Sequence, residues 1–199
     1  MKAMILAAGR GERMRPLTDK LPKPLLEVRG KPLIVWHLKK LSESGFKDIV
    51  INIAHLGHKI PETIGDGSKY GLNVTYSDEQ NEGALESAGG IVKALPLLGN
   101  EPFLVVNGDV FCDYSFNTDF DLGEKLAHLI LVPNPKHNLN GDFALEGNVV
   151  LNDTAIVELE IINTGINPLT ISSISSLSFA HPAIENIKLP IKKKFISFI

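Results

Sequence analysis

The run Leu6-Ala-Ala-Gly9-Arg-Gly11-Glu-Arg13-Met-Arg15-Pro16-Leu-Thr18, followed by Pro22-Lys23-Pro24, carries the residue types that bind phosphate. Its glycines let backbone N–H groups turn toward an anion with no Cβ in the way, and its cationic side chains neutralise the charge. The prolines on either side of Lys23 limit where its stem can point. An ordinary strand-to-helix link with solvated arginines would not need glycine, cation and proline together in so short a run. A second candidate lies far downstream, where Asn107-Gly108-Asp109 places a carboxylate directly after an apolar segment. One carboxylate suffices for Mg2+, which draws its other ligands from phosphate oxygens and water. Alone, Asn-Gly-Asp reads as a turn whose side chains cap the backbone. Beside the first motif, it reads as a metal site.

Two familiar phosphate loops are excluded by residue type. A P-loop requires Lys-Ser or Lys-Thr after its glycines, and no such pair follows Gly9 or Gly11. A dinucleotide fingerprint requires a third glycine where Met14 stands. Pro16 also arrives too early for a helix to open cleanly from the loop. What remains is a loop dedicated to a triphosphate.

These residues need elements that bring them to one place. Ala3–Leu6 is a short continuous apolar run ending near glycine, the pattern of a parallel strand buried on both faces. Pro32 opens a helix running to about Ser44, with Leu33, Trp36, Leu38 and Leu41 on its inner side and Gly45 as its stop. Asp48–Ile53 reads as a strand, His55 to about Ile64 as a helix shortened or bent by Pro61, and Leu72–Tyr76 as a third strand. A helix from about Ser87 to Leu95 leads into the apolar strand Pro102–Val106, and His128–Val132 adds another. Phe143–Leu145 and Val149–Leu151, joined across Gly147-Asn148, predict a hairpin. Strands alternating with helices give an α/β fold, a doubly wound and mainly parallel Rossmann-like sheet with a β-hairpin addition. In such a sheet, both candidate loops fall beyond the carboxyl ends of strands, where ligands bind.

Length and composition bound the reading. At 199 residues, 44% hydrophobic and 22% charged, the chain suits a single soluble domain over 1–199 with a sizeable core. A net charge of −3 provides no basic field for nucleic acid, which is not expected as a partner. Cys112 is the sole cysteine, excluding an internal disulfide and fitting a reducing cytoplasm. The Met4–Ala8 stretch is too short for a signal peptide, no segment reaches transmembrane length, and no membrane partner is expected. Of the histidines, only His55 and His58 share metal-ligand spacing, and no third ligand accompanies them, so zinc is not expected. The lysine cluster before Phe195 reads as a solvated terminus.

The first motif, with Pro22-Lys23-Pro24-Leu25, resembles the signature of the sugar-1-phosphate nucleotidyltransferases. Gly65–Ser68, Leu85–Ile91, Ala94–Gly99, Val106–Asp109 and Gly141–Phe143 are similar to the branch of uridylyltransferases acting on N-acetylmuramate-1-phosphate in bacterial cell-wall (peptidoglycan) recycling. The resemblance covers residues 1–151. It implies a sheet of the nucleotide-diphospho-sugar transferase type and a reaction joining a nucleoside triphosphate, UTP, to a sugar-1-phosphate with release of pyrophosphate. It assigns Arg13 and Lys23 to catalysis on the phosphates, and Asp109 to Mg2+. Leu6, Ala8, Gly9, Gly11, Glu12, Arg13, Lys23, Gly89 and Gly90 are implied for the nucleotide, the small residues forming a slot for the base. Asn107 and Asp142 are implied for the sugar, although Asp142 also reads as a surface residue before a strand. Glu86 either ties the base loop together or sits at a helix N-terminus.

Beyond residue 151 the chain departs from the family pattern. A second metal-binding aspartate is expected in an Asp-x-Gly-Thr-like segment, yet no aspartate follows Asp153. Ser175–Ile184 resembles the family's Ser-Gly-x-Ser-x-x-His-Pro strand with Ser176 in place of glycine, and Asn163–Ile166 is a rival match. Residues 152–199 therefore read as an atypical, truncated sugar-binding part, and turnover is expected to be feeble. The rivals are a mannose- or glucose-1-phosphate enzyme with another triphosphate, and a non-catalytic nucleotide-binding or regulatory module. A Rossmann oxidoreductase stands further off, opposed by Met14.

Overall fold

The computed structural model describes residues 1–81, 83–123, 127–131 and the short strands at 144–146, 149–151, 159–161 and 195–198. These fall into two compact units, Met1–Phe120 and Asp121–Ile199.

In the first unit, the leading apolar run forms β1 (Lys2–Leu6), with Ala3, Met4 and Ile5 wholly buried. No α-helix follows the glycine loop, as Pro16 foretold. Three 3-10 turns occupy that stretch instead, at Glu12–Met14, Leu17–Asp19 and Lys23–Leu25. A short antiparallel ribbon comes next, β2 (Glu27–Val28) and β3 (Lys31–Pro32), joined through Arg29 and Gly30 at φ 53° and 70°. Two successive left-handed residues make the tight turn that matches strand twist. This ribbon is not among the elements expected from the sequence.

Helix α1 (Leu33–Glu43) begins after Pro32 and ends as expected at Gly45, whose φ is +89°. The Phe46 N–H returns to the Leu41 carbonyl, and left-handed glycine makes that closure possible. Ile34, Leu38 and Leu41 form the buried face together with Val35 and His37. Leu33 and Trp36 are only half-buried, a correction to the expected inner face. The Trp36 ring instead packs under the Lys31 ammonium and donates Nε1–H to the Val28 carbonyl, so the ribbon rather than the core receives it.

Strand β4 (Asp48–Ile53) matches its apolar run. Helix α2 (Lys59–Ile64) starts late, with Pro61 in its first turn, where a missing N–H is tolerated. Strand β5 (Asn73–Asp78), helix α3 (Glu86–Leu98) and strand β6 (Phe103–Asn107) complete the unit. Helix α3 runs past its expected end and holds Pro96 inside it.

The four long strands are parallel in the order β6-β1-β4-β5. From β1 the chain steps outward to β4 and β5, then α3 carries it back to the far side of β1 as β6. Strand order therefore reverses between β1 and β6.

In the second unit, β7 (Ala127–Ile130) has buried side chains throughout. Strands β8 (Ala144–Glu146) and β9 (Val149–Leu151) pair antiparallel with Leu145 opposite Val150, as the hairpin pattern predicted. Strands β10 (Leu159–Ile161) and β11 (Phe195–Phe198) both pair parallel with β7. The lysine cluster before Phe195 lies outside the described residues. Among the described residues, no helix is long and apolar enough to cross a membrane.

Leu38 has no exposed surface and sits in the middle of the α1 face. Leu38→Ala should cost about 2–5 kcal/mol of stability through lost burial and a residual cavity. Urea titration should show a lower midpoint with an unchanged slope.

Candidate functional site

Ladder pairing between β1 and β6 stops at Leu6 and Asn107. There, at the reversal of strand order, a cavity of about 540 Å³ opens. Leu6–Glu12, Lys23 and Pro24 line one side, Asn107–Asp109 another, and Asn52, Ala84, Glu86 and Ser87 complete the wall. All of these belong to the first unit.

Gly108 ties the two strand ends together. Its N–H donates to the Leu6 carbonyl at 2.9 Å, and a Cβ on it would lie 2.7 Å from that same oxygen. Only glycine permits so close an approach. The Val110 N–H then bonds to the Asn107 carbonyl at 3.2 Å, turning Asp109 toward the cavity.

The glycine loop is held from below. Gly11 sits at φ +65°, and its carbonyl accepts the Met14 N–H at 2.9 Å and the buried Thr18 hydroxyl at 2.8 Å. Lys59 reaches from α2 to the Lys20 carbonyl at 2.8 Å. Lys23 stands between extended Pro22 and buried Pro24, so its backbone is fixed and its stem leaves in one direction. That direction ends on Asp109, with Lys23 Nζ 2.5 Å from Oδ2. The side chains are 25% and 44% exposed, so water screens the pair and its stability contribution is small. Its significance is positional: a cation and a hard oxygen donor face each other at the cavity.

His37 lies buried in α1 and shares a hydrogen bond with the Gly108 backbone. Burial lowers its pKa, against the opposing pull of that bond and of the Asp109 charge. A neutral imidazole thus supports the turn. Lys40, one helical turn on, donates to the Cys112 carbonyl at 2.6 Å and holds the segment after Asp109.

Of the residues singled out in the sequence, Leu6, Ala8, Gly9, Gly11, Glu12, Lys23, Asn107 and Asp109 all line the cavity. Arg13 does not; it is exposed on the 3-10 turn beyond Gly11, while Arg10 lines the cavity in the same loop. Gly89 and Gly90 are buried inside α3 and also lie off the lining. The physical reason is packing: a Cβ on Gly90 would meet Asn52 Nδ2 at 2.7 Å and Glu79 Oε1 at 2.8 Å. Asp142 lies outside the described residues. Glu86 does line the cavity, at the first residue of α3 and at φ 58°. Asn52 was missed, although an asparagine within Ile49-Val-Ile-Asn-Ile53 was a visible signal: a polar side chain in a buried strand needs partners. Among the described residues, no group of three or more His, Cys, Asp or Glu side chains could hold a metal.

A parallel sheet with a glycine-and-cation loop and a carboxylate at its switch point defines an α/β protein with its candidate site beyond the strand ends. The family model for nucleotidyl transferases matches residues 2–141, and the chain belongs to that family. It is 62% identical over 150 residues to the N-acetylmuramate alpha-1-phosphate uridylyltransferase of Neisseria meningitidis serogroup B, covering 73% of this chain and 64% of that protein. It is 39% identical over 127 residues to a UTP–glucose-1-phosphate uridylyltransferase of Synechocystis, covering 59% of this chain and 33% of that one. The chain thus spans less than two thirds of the length of these relatives. A crystal structure of a putative glucose-1-phosphate thymidylyltransferase from Bacillus anthracis, in complex with a sucrose, superposes with a TM-score of 0.71. At 20% identity, with 99% of this chain and 86% of that chain covered, this likeness establishes the nucleotide-diphospho-sugar transferase fold.

Gly108→Ala should force the Leu6 and Asn107 ends apart. An overpacked contact of this kind costs about 1–3 kcal/mol. Thermal unfolding should show the loss.

Proposed function

We propose that the chain takes part in nucleotidyl transfer, moving a uridylyl group from UTP onto N-acetylmuramate-1-phosphate and releasing pyrophosphate. The observation that carries this reading is the Lys23–Asp109 pair facing the glycine loop at the switch point. The identity to the Neisseria uridylyltransferase supports the choice of UTP and of the sugar phosphate. The lone Cys112 suits a reducing, cytoplasmic setting.

In this reaction an oxygen of the sugar phosphate attacks the α-phosphorus of UTP. The bond from that phosphorus to the bridging oxygen breaks, and pyrophosphate departs with the electron pair. The attacking phosphate is already ionised at neutral pH, so no general base is required. Catalysis then rests on holding two anions in line and neutralising their charge.

The backbone N–H groups about Gly9 and Gly11 would hold the leaving phosphates, with Arg10 beside them. Arg13 would meet the terminal phosphate from the turn beyond Gly11. Glu12 would act through its backbone, since its carboxylate repels phosphate. Lys23 would swing from Asp109 to the α-phosphate, where positive charge helps most as the new bond forms. Leu6, Ala8 and Gly9 would face the base across Ala84 and Ser87, while Gly89 and Gly90 let α3 pack close beneath. Asn107, and Asp142 from outside the described residues, would bind the sugar.

Mg2+ fits Asp109 in kind: the site offers one part-exposed carboxylate, and this hard cation would complete its shell with phosphate and water. When bound, it would supply charge neutralisation on the α-phosphate and on the incoming phosphate. Asp109 would hold it only after releasing Lys23.

Pyrophosphate release from UTP and N-acetylmuramate-1-phosphate, with and without Mg2+, tests the proposal. Asp109→Asn should lower the rate at least about 100-fold, on the scale of losing one transition-state electrostatic contact. Lys23→Met should fall by a similar factor while leaving the fold intact. An Asp109→Asn rate equal to the parent's would overturn the mechanism. Stronger stabilisation by GTP than by UTP would point to a guanylyl donor instead.

A further inference from the structure

Two buried polar side chains stand at the back of the cavity, and the proposed chemistry uses neither. Asn52, near the end of β4, is 2% exposed, and Glu79, just after β5, has no exposed surface. Asn52 Oδ1 accepts the Ala7 N–H at 2.7 Å, while its Nδ2 donates to Glu79 Oε1 at 2.8 Å. Glu79 Oε2 accepts the Leu85 N–H at 2.9 Å.

The ends of this chain of bonds are the two walls of the cavity. The β1–β4 ladder finishes at Leu6 opposite Asn52, so the Ala7 amide has left the sheet and needs another acceptor. Leu85 is the residue before α3, and its own apolar side chain makes no capping bond to that helix. One buried carboxylate thus fixes the base of the Ala7–Gly9 loop and, independently, the start of α3 with Ala84, Glu86 and Ser87. Gly90 leaves room for it, since any Cβ there would collide with both the amide and the carboxylate.

The bonds also have a direction. Two backbone donors stand at the ends, so the two side chains between them must supply three acceptors and one donor facing each other correctly. Asn52 and Glu79 do this in one orientation only, because turning the amide would set Nδ2 against the Ala7 N–H.

We propose that Asn52 and Glu79 are positioning residues that set the separation of these two walls, and thereby select a pyrimidine over a purine nucleoside triphosphate. This rests on the reading of the cavity as a nucleotide site. A ring that fits between walls held at a fixed spacing loses its advantage once the spacing relaxes.

The polarity of the bonds supplies the test. Glu79→Gln must set two donors against each other, at Asn52 or at Leu85. Asn52→Asp sets two carboxylates against each other. The double variant N52D/E79Q restores the three bonds from the Ala7 N–H through positions 52 and 79 to the Leu85 N–H, with the charge moved from one side chain to the other. Its carboxylate at position 52 accepts from the Ala7 N–H and from the new amide at position 79, whose oxygen accepts from the Leu85 N–H. UTP and GTP dissociation constants should be measured by calorimetry on chains shown to be folded by circular dichroism at the assay temperature.

Each single variant should bind UTP at least about tenfold more weakly, as expected for an unpaired buried polar group, with a smaller loss for GTP. The double variant should return both the affinity and the UTP-to-GTP ratio to within about threefold of the parent. Asn52→Ser, which withdraws from Glu79 without opposing like groups, provides a milder variant should a single variant not fold. Folded variants that keep the parent's ratio would overturn the proposal while leaving the nucleotide reading intact. A parent chain that binds neither triphosphate would instead remove the nucleotide reading itself.

Discussion

Everything chemical in this chain depends on how closely two neighbouring parallel strands come together where they end. The Gly108 N–H on the Leu6 carbonyl joins the last turn of β6 to the last residue of β1. A parallel ladder leaves backbone groups unpaired at its carboxyl end, and each must find a partner or water. Here that contact also fixes the relative height of the two loops that leave the sheet. Because Gly9–Gly11 and Asp109 depart from adjacent strands, a shift of one strand end would separate anion cradle from carboxylate. Glycine at 108 is therefore a requirement of the site before it is a requirement of the fold.

The elements that make the sheet were legible because their signal is local. Apolar runs at 3–6, 49–53 and 103–106, and Gly45 after a helical pattern, each state their structure within a few residues. The loop was legible for a similar reason, since glycine, cation and proline occur together. Lys23 and Asp109 could each be singled out from sequence, but their pairing could not: 86 residues separate them, and the contact exists only after β6 returns beside β1. Strand limits shifted by a residue or two, because ladder bonds and not hydropathy decide where pairing ends.

What the sequence concealed was mostly polar and buried. Asn52 lies in β4 and Glu79 just after β5, and nothing near Glu79 in the sequence says that the two would meet. Gly89 and Gly90 illustrate the converse. Small residues near a motif suggest room for a ligand, yet Gly90 makes room for Asn52 and Glu79. Trp36 likewise looked like core and became the cover of a small ribbon, since Lys31 and the Val28 carbonyl answer both its ring and its N–H. In each case the partner came from a distant part of the chain.

The contact between Lys23 and Asp109 has a consequence for stray ions. At rest each group is the other's counterion. A free anion must take Lys23 from Asp109, and a free cation must take Asp109 from Lys23. Either arrival alone strands one charge. An anion and a cation arriving as a neutralised couple would satisfy both groups together, so a chelate would displace the resting pair at less cost than either ion alone.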